Sequence, residues 1–199
     1  MPKFAEFFFD VGSPASYLAW TQMPTICAQT GADLVFKPML LGGVFQATGN
    51  ASPAMVPAKG RYMTQDLTRF AQRYGVPFRM NPHFPINTLQ LMRATIAMLM
   101  REPAQFMAFT NTLFTAMWVD GANLNDPATI ATVLAKAGFD PAEVMALAGD
   151  AEVKAALKAN TEEAVARGVF GAPTVFVGDT LFFGQDRLDF VREALAARP

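Results

Sequence analysis

Residues 7–20, FFFDVGSPASYLAW, form the junction that decides the fold. Phe7, Phe8 and Phe9 make an apolar run of the kind carried by a strand buried on both faces. Asp10 stops the run, Val11-Gly12 makes a short turn, and Ser13-Pro14 opens a helix. Serine at the cap with proline next is a start signal. The hydroxyl accepts from an otherwise unpaired backbone N–H, and the ring already holds a helical φ. Outward from this junction, residues 4–9 read as the first strand and Ser13 to about Thr30 as the helix, with Gly31 as its stop. Asp33 to Met39, DLVFKPM, predicts a second strand, in which Pro38 suits only the end or a sheet edge. Strand, helix and strand together open an α/β fold.

The chain then changes character. Leu41 to Pro57 is rich in Gly, Ala, Pro and small polar residues and reads as a long loop, of a length that often serves as a lid or binding loop. A helix from Lys59 to Tyr74 ends at Gly75. The irregular stretch MNPHFPIN, residues 80–87, holds the sole histidine, His83. Helices are predicted over Thr88–Met100, Pro103–Val119, Pro127–Ala137, Pro141–Ala148 and Asp150–Arg167, the last stopped by Gly168. Strands return at Thr174–Val177 and Thr180–Phe183, joined by a Gly178-Asp179 hairpin turn. Asp186 to Ala197 closes the chain as a helix. The expected organisation is an α/β domain, residues 1–45 and 165–199, interrupted by an all-helical insertion, residues 46–164.

Bulk properties exclude several classes. A net charge of -1 over 199 residues gives no reason to expect nucleic acid, whose phosphates need a basic face. One cysteine, Cys27, makes neither a disulfide nor a CxxC pair, and its place in the first helix suits a small buried hydrophobe. No secretory signal is visible, and Ile86 to Met100 carries Arg93 and falls short of the roughly 20 apolar residues that span a bilayer. A soluble, reducing, cytoplasmic setting is the expectation. HExxH, Walker and GxGxxG patterns are absent, and one His with one Cys builds no zinc site. Met92, Met98, Met100, Phe106, Phe109 and Phe114 lie at helical spacings and are expected in the core.

The second informative stretch is Val169-Phe170-Gly171-Ala172-Pro173-Thr174. A proline after a glycine loop and just before a short strand is a common place for a cis peptide bond. The backbone of the preceding residue is then free to pair with an extended peptide. Alone, GAPT reads equally as an ordinary helix-to-strand loop; its weight comes from the Ser-Pro helix start at the other end of the chain.

Taken together, FDVGSPASYLA, PAKGRYMTQDLTRFAQRYGVPF, HFPINTL, AMWVDGANL and VFGAPTVFVGDTLFFGQDRLDFV make the chain, over nearly its whole length, resemble the DsbA-type thioredoxin fold. More closely, it is similar to the kappa-class glutathione transferases and the 2-hydroxychromene-2-carboxylate isomerases. Ser13 and Ser16 stand at the CxxC positions, so disulfide exchange is not expected. Unpaired N–H groups and the positive dipole end at Ser13 favour an anion. Where no protein thiol exists, that anion is a thiolate brought by a ligand, with the Ser13 hydroxyl as donor and glutathione as the obvious carrier. Such stabilisation is worth about 1–3 kcal/mol, or one to two units of thiol pKa. The competing reading of Ser13 is a plain helix cap.

The resemblance implies further site residues. Ala172, before Pro173, would pair its backbone with the cysteinyl part of glutathione, and Phe183, Gly184, Gln185 and Asp186 would hold the γ-glutamyl end. Asp186 offers a carboxylate to the ligand's ammonium, or simply a favourable charge in a first helical turn. For an aromatic carboxylate substrate the candidates are Gly49, Asn50, Lys59, Arg61, Tyr62 and Asn87. Lys59 and Arg61 read alternatively as a solvated face, and Asn87 as the cap of the next helix. His83 reads as an acid–base group or as structural, and Tyr17 and Trp118 as walls of the site or as core. The implied activity is a glutathione-dependent isomerisation giving trans-o-hydroxybenzylidenepyruvate, in a homodimer by analogy. A kappa-type transferase or peroxidase and a thiol-free peptide-binding module are the alternatives.

Overall fold

The computed structural model describes residues 3–197. Its sheet has the order β2-β1-β3-β4, with β1 (Phe4–Phe9), β2 (Asp33–Pro38), β3 (Thr174–Val177) and β4 (Thr180–Phe183). β2 runs parallel to β1, β3 antiparallel to it, and β4 antiparallel to β3. Side chains alternate across a strand, so Phe7, Phe8 and Phe9 of β1 divide between the two faces of the sheet. Phe7 and Phe9 enter the main core, where Phe9 meets Trp20 at 5.3 Å between ring centroids and Trp20 meets Phe36 at 5.0 Å. Phe8 turns to a smaller cluster with Met39, Val44, Ala164, Val169 and Phe176. Pro38 ends an edge strand, where its missing N–H costs no ladder bond.

The smaller face also carries a charged quartet. Arg167 bonds Glu6 at 2.7 Å and Glu163 at 3.1 Å, while Lys37 reaches Glu163 at 3.0 Å and Glu6 at 3.8 Å. The Arg167 guanidinium lies 3.9 Å from the centre of the Phe176 ring.

Helix α1 (Pro14–Thr30) crosses from β1 to β2. Gly31 ends it in the left-handed region, with φ 65°. Between β2 and β3 lie α2 (Leu41–Thr48), α3 (Pro57–Tyr74), α4 (Leu89–Arg101), α5 (Pro103–Trp118), α6 (Pro127–Lys136), α7 (Pro141–Gly149) and α8 (Ala151–Ala166). After β4, α9 (Leu188–Ala196) closes the chain. Among the described residues no helix is long and apolar enough to cross a membrane.

Three expectations are corrected. Leu41 to Pro57 is not a loop: α2 fills its first half, and a 3-10 turn, Pro53–Met55, follows. Leu40 offers no side-chain cap to α2, and Gly42 and Gly43 are poor helix formers. Instead, Asp10 accepts from Leu41 N–H at 2.8 Å and Val44 packs beneath the sheet, so tertiary contacts supply what the local sequence lacks. The last helix begins at Leu188 rather than Asp186, because Gln185–Arg187 form a 3-10 turn. Met100 is 41% exposed rather than core. It lies two residues, or about 200° around the helix, beyond the buried Met98.

Candidate active site

The site grows from the turn between β1 and α1. Val11 is held from both sides, its N–H on the Met92 sulfur at 3.3 Å and its carbonyl accepting from Trp118 Nε1 at 2.8 Å. This fixes Ser13, whose Oγ accepts from Ser16 N–H at 3.1 Å as the cap of α1. The same hydroxyl donates to the carbonyl of Ala172 at 3.0 Å. The Ala172-Pro173 bond is cis, and Gly184 N–H donates to Pro173 O at 2.9 Å. Ser13, Ala172, Pro173 and Gly184 are thus brought together from the two ends of the chain. No acidic residue occupies the first turn of α1, so nothing there offsets the positive end of its dipole.

Phe183 lies over Gly171, where an added Cβ would come within 2.8 Å of its ring. The Phe170 ring joins it at 4.6 Å between centroids, and both rings are partly open to solvent. Gln185 is buried, and its carbonyl accepts from Tyr74 Oη at 2.6 Å. Burial pushes the Tyr74 phenol up to about 12, with Asp189 and Asp186 adding to the shift and Arg73 opposing it. Asp186 is exposed and paired with Arg187.

The substrate-side candidates separate. Gly49 ends α2 with φ 71°, and Asn50 beyond it donates from Nδ2 to Phe170 O at 2.7 Å, tying it to the GAPT loop. Lys59, Arg61 and Tyr62 are exposed on the first turns of α3, and neither cation is ion-paired among the described residues. Asn87 Oδ1 accepts from Leu89 N–H at 3.1 Å, one residue before Thr88, the N-cap of α4. Asn87 also lines a cleft of about 310 Å³ with Leu124, Ile130 and Met145, apart from Ser13 and its partners. His83 is exposed in a loop anchored by buried Asn81, whose side chain accepts from His83 N–H and donates to the carbonyls of Met117 and Ala122. Tyr17 and Trp118 are core residues with hydrogen-bonded polar ends, Tyr17 to Pro77 O and Trp118 to Val11 O. A larger groove, about 790 Å³ between α5 and α6, contains none of the candidates.

Sequence reasoning passed over two groups. Asp10 reads as the residue that ends a strand, yet its carboxylate is buried and fully engaged. Burial pushes it above the usual carboxylate range, against the donors from Leu41, Gly12 and Thr88. Ser16 Oγ is buried with no hydrogen-bond partner, one turn along the helix from Ser13. The acid-free start of α1 and the Ser13 hydroxyl, a donor, fit an anionic thiol ligand better than an apolar one. Cys27 is no rival thiol, since burial first and Asp33 second push it up to about 11.

The parallel β1-α1-β2 unit, the cis-proline facing the helix cap and the helices inserted before β3 define a thioredoxin-type protein of the DsbA kind. The chain belongs to the DSBA-like thioredoxin domain family, whose model matches residues 5–196. It is 33% identical to the 2-hydroxychromene-2-carboxylate isomerase of Sphingobium xenophagum, over 98% of this chain and 99% of that one. Its identity to the kappa 1 glutathione S-transferase of Rattus norvegicus is 28%, over 99% and 92%. A solved structure of selenomethionine 2-hydroxychromene-2-carboxylate isomerase matches with a TM-score of 0.84 at 28% identity, covering 96% of this chain and 94% of the other. The likeness drawn from the sequence motifs is borne out at the level of family and fold.

Proposed function

We propose that the chain is a glutathione-dependent isomerase that converts a 2-hydroxychromene-2-carboxylate-like compound to trans-o-hydroxybenzylidenepyruvate. The observation that carries this reading is the Ser13 hydroxyl, capping an acid-free helix start and facing the carbonyl before cis-Pro173. Ser13 would act as donor to a ligand thiolate rather than as nucleophile, and the α1 N-terminus would favour the charged form. Ala172 would pair its backbone with the cysteinyl residue. Phe183, Gly184, Gln185 and Asp186 would receive the γ-glutamyl end. Arg187 takes Asp186 Oδ2 and leaves Oδ1 above Gly184 as the remaining acceptor. Bound glutathione supplies a nucleophilic thiol whose reversible addition replaces a prohibitive double-bond rotation with accessible steps. Lys59 and Arg61 would attract the substrate carboxylate, with Gly49, Asn50 and Tyr62 as further polar and aromatic contacts; Asn87, which lines a separate cleft, drops out of this set.

The test is spectrophotometric turnover of a hydroxychromene carboxylate, with and without glutathione, in wild type and Ser13→Ala. Turnover is expected only with glutathione and to collapse in the variant; a glutathione-independent rate would sink the mechanism. The similarity to kappa 1 glutathione S-transferase favours conjugation of glutathione to electrophiles as the second reading. Under that reading neutral electrophiles are better substrates than carboxylates.

A further inference from the structure

Asp10 takes no part in the chemistry above, yet three separate segments converge on it. Its side chain is 1% exposed. Oδ1 accepts from Gly12 N–H at 2.8 Å, and Oδ2 accepts from Leu41 N–H at 2.8 Å and from Thr88 Oγ1 at 3.0 Å. Its backbone carbonyl accepts from Ser13 N–H at 3.0 Å. The packing is close: a Cβ on Gly12 would meet Thr88 Cγ2 at 2.7 Å.

From Leu41, α2 runs eight residues, about 12 Å, toward Gly49. Asn50 then donates to Phe170 O, and two residues later Ala172 O receives the Ser13 proton. Hydrogen bonds and short covalent stretches thus close a ring through Asp10, Leu41, Asn50, Phe170, Ala172 and Ser13. We propose that Asp10 is a positioning residue: through α2 it sets the Asn50–Phe170 tie, and so the placing of the Ala172 carbonyl against the Ser13 hydroxyl where a ligand thiol is received. The identity of that thiol rests on the reading above; the positioning does not.

The need for a carboxylate follows from the donor count. All three side-chain partners donate, and a carboxylate only accepts. An asparagine here presents its NH2 either to Gly12 N–H or to Leu41 N–H, whichever way it is turned. One buried backbone donor then loses its acceptor, and the turn or α2 moves to recover one. A displacement of about 1 Å at reacting groups is enough for roughly a hundredfold loss of rate.

The experiment compares Asp10→Asn, Thr88→Val, Asn50→Ala and the Asp10→Asn/Asn50→Ala double variant in the full chain. Without ligand, amide hydrogen exchange at Leu41 and along α2 is expected to quicken about tenfold in Asp10→Asn. The glutathione Kd by calorimetry should rise by less than the kcat falls, because the contacts at Gly184 to Asp186 are untouched while only that at Ala172 shifts. The kcat should fall about tenfold or more, and the bound thiol, followed by its ultraviolet absorbance, should titrate at higher pH. In hydrogen exchange and in the titration of the bound thiol, which a substrate contact at Asn50 does not enter, the double variant should be no worse than Asp10→Asn alone, since both changes cut one ring. Thr88→Val, which keeps the carboxylate, should show a smaller loss in the same direction. If Asp10→Asn does not fold, Thr88→Val and Asn50→Ala should fail to add in its place. A bound thiol made more acidic by Asp10→Asn would overturn the proposal, because the role would then be charge repulsion. So would effects on hydrogen exchange and on the thiol titration that combine independently. Should wild type bind no glutathione, the functional reading fails, and Asp10 is judged on the hydrogen-exchange cycle alone: additive quickening overturns its role and non-additive quickening upholds it.

Discussion

Ser13 Oγ donates to the carbonyl of Ala172 at 3.0 Å across 159 positions of sequence, while accepting from Ser16 N–H within its own helix. The hydroxyl has one proton, and Ala172 holds it. A thiolate is a stronger acceptor than a neutral carbonyl, so under the proposed function its arrival would redirect that proton to the sulfur. The carbonyl of Ala172 would then be free for the ligand's own N–H. Ser13→Ala removes the cap and the donor together. The lost cap should cost about 1 kcal/mol in denaturant unfolding. Turnover should fall by about a hundredfold or more, as expected when a donor to developing charge is removed. An undiminished rate would make Ser13 a cap only.

Two glycines of the site separate by backbone. Gly184 has φ 98° and ψ 154°, a region open essentially to glycine alone, and an added Cβ would meet Asp186 Oδ1 at 2.5 Å. Gly184→Ala should therefore cost about 1–3 kcal/mol of stability and raise the KM for glutathione, because the Pro173 tie and the Asp186 carboxylate move together. Gly171 has no positive φ, and the three atoms nearest to an added Cβ all belong to the partly exposed Phe183 ring. Gly171→Ala should leave the unfolding midpoint nearly unchanged while Phe183 swings outward. Thermal melts of the two variants check the contrast; equal losses would contradict it.

The pattern of these contacts explains what the sequence could reveal. The unit from β1 through α1 is legible because its signals are local: the continuous phenylalanine run, the Ser13 cap, Pro14 and the Gly31 stop. Helix α2 is not, because the group that receives its first N–H is Asp10, 31 residues earlier. Ser13 and the Ala172-Pro173 pair are legible as motifs. Asp10 and Tyr74 are not, since their partners are chiefly backbone groups, Leu41 N–H and Gln185 O, which any sequence presents. The α-helix expected from Asp186 begins instead at Leu188, because the contact that holds the residues before it comes from a distant strand end. The bond from Gly184 N–H to Pro173 O holds the chain in a 3-10 turn first.

Glu163 gives a prediction in acid. Burial alone would raise its pKa, but the bonds from Lys37 and Arg167 outweigh that and hold it below its ordinary 4.5. A carboxylate lowered in the folded state contributes stability that is fully present above its unfolded value and is lost as pH falls through the folded one. Wild type should therefore lose stability steadily below the ordinary glutamate range. Glu163→Gln should be less stable at neutral pH and should lose less on acidification. Denaturant midpoints at neutral pH and in acid test this; parallel losses in the two proteins would place the acid sensitivity elsewhere.

Lys59 decides between the two catalytic readings. It stands in the first turn of α3 with Arg61 close behind, exposed, without an ion pair among the described residues and with no acid in that turn. A cation at a helix N-terminus opposes the dipole, so stability gives no reason for it. Lys59→Ala should leave the unfolding midpoint unchanged or raise it by a few tenths of a kcal/mol. If the pair attracts a substrate carboxylate, its removal forfeits a charge-assisted bond, and the KM for a hydroxychromene carboxylate should rise about tenfold. The glutathione Kd should not move, because its contacts lie on the GAPT loop and the 3-10 turn. A neutral electrophile conjugated by the same protein should also be unaffected. Equal losses with both substrates would place Lys59 at the thiol site instead. No loss with either would return Lys59 to the solvated face and leave the transferase reading ahead, since a transferase of neutral electrophiles needs no cation there.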